Sequence, residues 1–147
     1  MLLVKGEKEA VKGKSIVITE SDYARLQRLI ESSRRFRHRD AQHLDALQQE
    51  LERATVARAE EVPGDLVTMN SRVRVEDLDS GHVYAYQIVF PKDADFSRNR
   101  ISVLAPIGTA LLGYGAGTTV EWQVPSGMRR LRILDVEYQT EAAGIAA

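Results

Sequence analysis

The hydrophobic period of this chain changes once, at Pro63-Gly64. Before that point apolar residues recur every three or four positions. After it they alternate by two. One element cannot carry both patterns, because side chains repeat about every 3.6 residues on a helix and every 2 on a strand. The chain is therefore expected to join a helical part to a sheet-forming part, an α+β class. The expected division is a flexible extension over 1–14, a short antiparallel helical hairpin over 15–62, a sheet domain over 63–140 and a flexible tail over 141–147.

The helical part opens with "SIVITESDYARLQRLIES". Thr19 precedes Asp22 by three residues, a variant of the capping-box pattern. Tyr23, Leu26, Leu29 and Ile30 follow at helical spacing, which predicts a first helix over residues 20–33. In "DAQHLDALQQELERATVARAEE", Leu44, Leu47, Leu51 and Ala54 form an a/d stripe, the seam of a coiled-coil contact. A second helix is expected over 40–60, capped by Asp40 and stopped by Pro63-Gly64. It would be about 30 Å long at ~1.5 Å per residue. Two apolar-striped helices with a short link make an antiparallel hairpin. Helix one covers the stripe in part, and the chain is expected to be a monomer.

After Pro63 the reading is antiparallel strands around turns. Val73 and Val75 alternate with Arg72, Arg74 and Glu76, and Asp79-Ser80-Gly81 supplies a turn. Strands are expected at Val83–Phe90, Ile101–Leu104, "TTVEWQV" and "MRRLRILDVEY", the last two around Pro125-Ser126-Gly127. In "APIGTALLGYGAG", Pro106 suits a first helical turn, and Gly113 stops the single short helix of this part.

Several function classes drop out. There is no Cys, hence no disulfide, thiolate nucleophile or Cys-based zinc site, as suits a reducing cytoplasm. The net charge of −1 makes no global field toward nucleic acid or membrane. No apolar run approaches the ~20 residues of a membrane span, and the apolar start is too short for a signal peptide. "GYGAG" follows a helix and lacks the Lys of a phosphate loop. The pairs Asp77 and Asp79, or Asp93 and Asp95, lack a calcium loop's alternating acids. His38, His43 and His82 have no zinc-type spacing and are read as surface histidines. No triad or nucleophile elbow is present. Neither an enzyme site nor a cofactor nor a metal is expected.

One feature resists dismissal. "SSRRFRHRD", at the bend of the hairpin, carries Arg34, Arg35, Phe36, Arg37, His38, Arg39 and Asp40. A run of like charge is commonly a solvated face. Arg also offers planar, bidentate contacts to phosphate and carboxylate, and a hairpin tip is well placed to enter another molecule.

Three passages carry a resemblance: "VTMNSRV", the "IVFP" strand end with its following Asp, and "SVLAPIGTALLG". In this order, behind a helical hairpin, the chain resembles the Gre-type transcription factors of the GreA/GreB family, and among them the Rnk-type regulators, from about Ile16 to Tyr138. The resemblance implies a C-terminal domain with an FKBP-like fold, and does not imply prolyl isomerase activity. It implies docking on RNA polymerase at the rim of the secondary channel, through Leu104, Ala105, Pro106 and Ile107. The hairpin would point inward. Gre cleavage factors carry paired acids at their tip, which help hold a catalytic Mg²⁺. Here Asp40 is the sole acid among four arginines, the hairpin is shorter, and Leu104-Ala105-Pro106 replaces the family's Asp-Ser-Pro.

The leading reading is a non-enzymatic regulator that binds RNA polymerase and competes with Gre-type factors, with no sequence-specific nucleic-acid contact. The alternatives are a cleavage-stimulating factor working through Asp40, alone or with Glu31 or Asp45, and a module acting on nucleoside diphosphate kinase.

Overall fold

A computed structural model describes residues 16–36, 41–124 and 126–137; for Phe36 and residues 122–124 it describes the backbone alone. The expected extension, the tail and Pro125 lie outside the described residues.

β1 (Val17–Thr19) leads directly into α1 (Glu20–Phe36). The Asp22 N–H donates to Thr19 Oγ1 at 3.1 Å, so Thr19 caps the helix as its position suggests. The helix runs past its expected end at 33, and "RRF" is its last turn, not loop. Arg34 and Arg35 there face the partial negative charge of a helix C-terminus, which favours cations.

α2 (Ala41–Arg53) stops well short of the predicted residue 60. Thr55–Ala57 instead forms β2, paired in parallel with β1 in the register Val17↔Thr55, Ile18↔Val56, Thr19↔Ala57. Thr55 and Val56 are β-branched, which stiffens χ1 and favours strand. The Thr55 N–H donates to the Ile16 carbonyl at 2.8 Å. The helix is therefore about 20 Å long at ~1.5 Å per residue, two thirds of the expected reach.

The second sheet contains β3 (Arg72–Asp77), β4 (Val83–Val89), β5 (Arg100–Ser102), β6 (Thr119–Val124) and β7 (Gly127–Glu137), in the order β5-β4-β3-β7-β6. It is mostly antiparallel. The exception corrects the expectation: β5 runs parallel to β4, with Gln87↔Arg100 and Ile88↔Ile101. Two 3-10 turns, Pro91–Asp93 and Phe96–Arg98, double the chain back, and Asn99 at φ 59° closes the second. β3 alternates as predicted, with Val73 and Val75 buried between exposed Arg72 and Arg74. α3 (Pro106–Leu111) has Pro at its start and Gly113 at φ 88° just beyond its end.

One apolar core joins the two parts. Leu26, Ile30, Leu44, Leu47 and Leu51 from the helices belong to the same buried cluster as Val67, Met69, Val75, Leu111 and Ile133. The three leucines of the apolar stripe are thus buried within a single chain: Leu44, Leu47 and Leu51 are each 1% exposed or less, while Ala54 lies just past α2 and is half-buried.

Candidate functional site

The hairpin does not stand away from the sheet domain. It lies along it, held at four points. At the base, buried Asp22 accepts the Met69 N–H at 2.9 Å. Its other oxygen takes Arg25 Nη2 at 2.7 Å, and the Arg25 guanidinium sits 5.1 Å from the centre of the Phe90 ring. On α2, Arg53 reaches the Tyr114 hydroxyl at 3.4 Å. Toward the bend, His43 Nδ1–H donates to the Leu104 carbonyl at 2.9 Å. His43 is therefore half-buried and structural, which corrects its reading as a surface histidine.

Met69 can receive Asp22 because of the turn it occupies. Ser71 N–H donates to the Thr68 carbonyl at 3.1 Å, and Asn70 takes the positive φ of 71° that such a turn asks of its third residue. The Thr68 and Ser71 hydroxyls bond each other at 2.6 Å out of solvent. The Asn70 N–H pairs with Ile88 O at 2.6 Å, which ties the turn to β4. This is the structural content of "TMNS": it presents one backbone N–H to the hairpin.

Between Ser33 and His43 the side chains described are those of Arg34, Arg35, Ala41 and Gln42, and all four are exposed. Arg34 Nη2 pairs with Asp45 Oδ1 at 3.0 Å, across the two helices. Both groups are in water, where such a pair contributes about 0–1 kcal/mol. Arg35 forms no ion pair among the described residues. Arg37, His38, Arg39 and Asp40, and the side chain of Phe36, lie outside the described residues.

The 104–107 segment adjoins this end through the His43 bond. The Leu104 side chain is buried, Ala105 and Ile107 are half-buried, and Pro106 is exposed. The base beneath them is rigid. Thr109 Oγ1 donates to the Val103 carbonyl at 2.6 Å. Gly108 packs so closely that a Cβ there would stand 2.4 Å from the Ser102 carbonyl oxygen. The His43 bond thus ties the start of α2 to the 104–107 segment. Sequence reasoning named Asp22 only in a capping pattern and His43 only as a surface histidine, because the backbone partners that tie each to the sheet lie far along the chain, where no local pattern marks them.

The other candidates resolve into structural roles. Asp77 is buried and bonded to Arg129, and it also accepts the Asp79 and Ser80 N–H groups at 2.8 and 3.2 Å. Asp79 pairs with Arg130 at 3.1 Å. Asp95 accepts from the Ser97 hydroxyl at 2.6 Å, which holds its carboxyl below the ordinary value. Gly113, Gly115 and Gly117 form a stop and a turn, with Gly117 N–H bonded to Ile133 O at 2.7 Å. Among the described residues no group of three or more His, Asp or Glu side chains is placed to hold a metal ion, and no helix is long and apolar enough to cross a membrane.

Residues 62–138 match the family "Transcription elongation factor, GreA/GreB, C-term", and residues 14–56 match "Rnk N-terminus". The chain belongs to the GreA/GreB family. Its N-terminal part is of the Rnk type. It is 40% identical over 131 residues to the Regulator of nucleoside diphosphate kinase of Escherichia coli (strain K12), covering 88% of this chain and 94% of that one. It is 37% identical over 91 residues to Transcription elongation factor GreA of Clostridium botulinum (strain Eklund 17B / Type B), but spans only 57% of it. Among solved structures, the prokaryotic transcription elongation factor GreA/GreB from Nitrosomonas europaea is similar, at 41% identity, a TM-score of 0.71, and coverage of 84% of this chain and 100% of that one. By these relationships the chain is a Gre-like regulatory factor.

Proposed function

We propose that this chain is a non-enzymatic regulator that binds RNA polymerase at the entrance of the secondary channel and competes there with Gre-type factors. Such a protein works in the cytoplasm as a monomer, and its sheet domain is the FKBP-like, polymerase-docking module of the family. The exposed end of the hairpin, with Arg34 and Arg35, meets acidic protein groups or RNA phosphate. Pro106, with Ala105 and Ile107 beside it, docks on the channel rim. Leu104 acts from below, through its buried side chain and its bond to His43.

The observation that carries this reading is the Arg34–Asp45 pair at 3.0 Å. A cleavage factor needs carboxylates free to hold a metal ion. Asp45, the nearest α2 acid to the bend, is turned to an arginine instead. The length of α2, about 20 Å at ~1.5 Å per residue, and its docking along the sheet domain also limit how far the end can reach.

The test is to titrate the protein into a backtracked transcription complex, with and without limiting Gre factor, and read transcript length. Loss of Gre-stimulated cleavage, with none from this protein alone, supports the proposal. Undiminished cleavage at saturating protein overturns it. The name of the Escherichia coli relative favours a second reading, a module acting on nucleoside diphosphate kinase. Co-purification with that kinase but not with polymerase would select it.

A further inference from the structure

On the face of α1 turned from α2, an open cleft of about 560 Å³ separates the helix from the loop after β4. Arg25, Arg28 and Leu29 line the helix side, and Phe90, Pro91 and Lys92 the loop side. Residues 25, 28, 29 and 32 share one helical face, so the two guanidinium stems emerge side by side. Lys92 adds a third cation from a different element. Asn70, in its positive-φ turn, completes the lining between them, and Asp93 is the only carboxylate among the lining residues.

The three cations differ in how they are held. Arg25 is fixed, bonded to Asp22 at 2.7 Å and stacked over Phe90. Arg28 and Lys92 form no ion pair among the described residues. A rigid guanidinium beside two uncommitted cations is suited to a multiply charged, oxygen-rich anion, because Arg donates in a planar fork and Lys as a point charge. The walls are also apolar at Leu29, Phe90 and Pro91. The volume falls within the ~300–1,000 Å³ typical of small-molecule sites, and inorganic phosphate alone would leave most of it unfilled.

We infer that this cleft binds a small phosphorylated metabolite of mononucleotide size, its phosphate on Arg28 and Lys92 and its planar or apolar body against Leu29 and Pro91. The ligand would touch the hairpin and the sheet domain together. The site is independent of the polymerase proposal, because its test uses the isolated chain.

The experiment is isothermal titration of the full chain with ADP, with adenosine, with inorganic phosphate and with a short single-stranded RNA. ADP is expected to bind one to one with sub-millimolar affinity. Adenosine and phosphate should each bind about tenfold more weakly or worse. The Arg28→Gln, Lys92→Gln double variant should lose about tenfold in ADP affinity, with an unchanged melting temperature since both residues are exposed. Absence of ADP binding at millimolar concentration would overturn the inference, as would ADP affinity unchanged in the double variant. RNA binding more tightly than ADP through the same two residues would also overturn it, and assign the cleft to nucleic acid.

Discussion

A carboxylate only 4% exposed must find partners for its charge, and Asp22 finds two. Removing it leaves the Met69 N–H without an acceptor and Arg25 without its anchor. Asp22→Ala is expected to destabilise the fold by about 2–4 kcal/mol, read from urea unfolding. Asp22→Asn retains an oxygen for Met69 and should cost less. A different behaviour belongs to Asp135 on the outer sheet face. The Arg74 hydrogen bond holds its carboxyl below the ordinary 3.8, and the Arg74 charge adds to the effect. A depressed carboxylate takes its proton more readily unfolded than folded. The pair's stabilisation is therefore present above 3.8 and lost as the pH falls through the lower folded value. In Asp135→Asn, the decline of the urea midpoint below about pH 4 should be shallower than in the parent chain. Both partners are well exposed, so the effect is small.

The elements were legible where their cause is local. Thr19 caps α1, Pro106 opens α3, and Gly113 ends it, all from side-chain chemistry within a few residues. The end of α2 was not legible. Leu44 to Ala54 keeps helical spacing, and what breaks it is pairing with β1, nearly forty residues earlier, together with the carbonyl that Ile16, just before that strand, offers Thr55. The parallel β4–β5 pair was hidden for a similar reason, since a strand pattern has no direction. Gly113 shows both kinds of cause at once. Its φ of 88° follows from the helix stop, but a Cβ there would also lie 2.7 Å from Ile16 Cβ. Gly117 has a similar φ of 91° and open space around it. Gly117→Ala should cost roughly 1 kcal/mol for backbone strain alone. Gly113→Ala should cost more, about 2–3 kcal/mol. Equal melting temperatures for the two variants would show that the Ile16 contact is not rigid.

At the scale of the molecule, the hairpin and the sheet domain share a core, so they are expected to unfold together. Trp122, the only tryptophan, lies on β6 and reports the sheet, while circular dichroism reports the helices. Urea transitions by the two probes should coincide. Leu47→Ala should shift both by the same amount, about 2–5 kcal/mol, although Leu47 sits on the hairpin. A fluorescence transition left in place while the dichroism moved would mean the two parts are energetically separate.

The hydrophobic period sufficed to place two helices before Pro63 and alternating strands after it, because burying one face of an element leaves its repeat in the chain. Composition sufficed to remove thiol chemistry, and the quoted passages sufficed to point to the GreA/GreB family. Folding in three dimensions settled what those signals do not encode. It laid the hairpin against the sheet domain through Asp22, Arg25, His43 and Arg53. It bonded His43, near the start of α2, to the Leu104 carbonyl, turned Asp45 to Arg34, and opened a cationic cleft between α1 and the loop after β4. These are contacts between a side chain and a distant backbone or ring. Their energy depends on position in space, and sequence spacing carries no record of it.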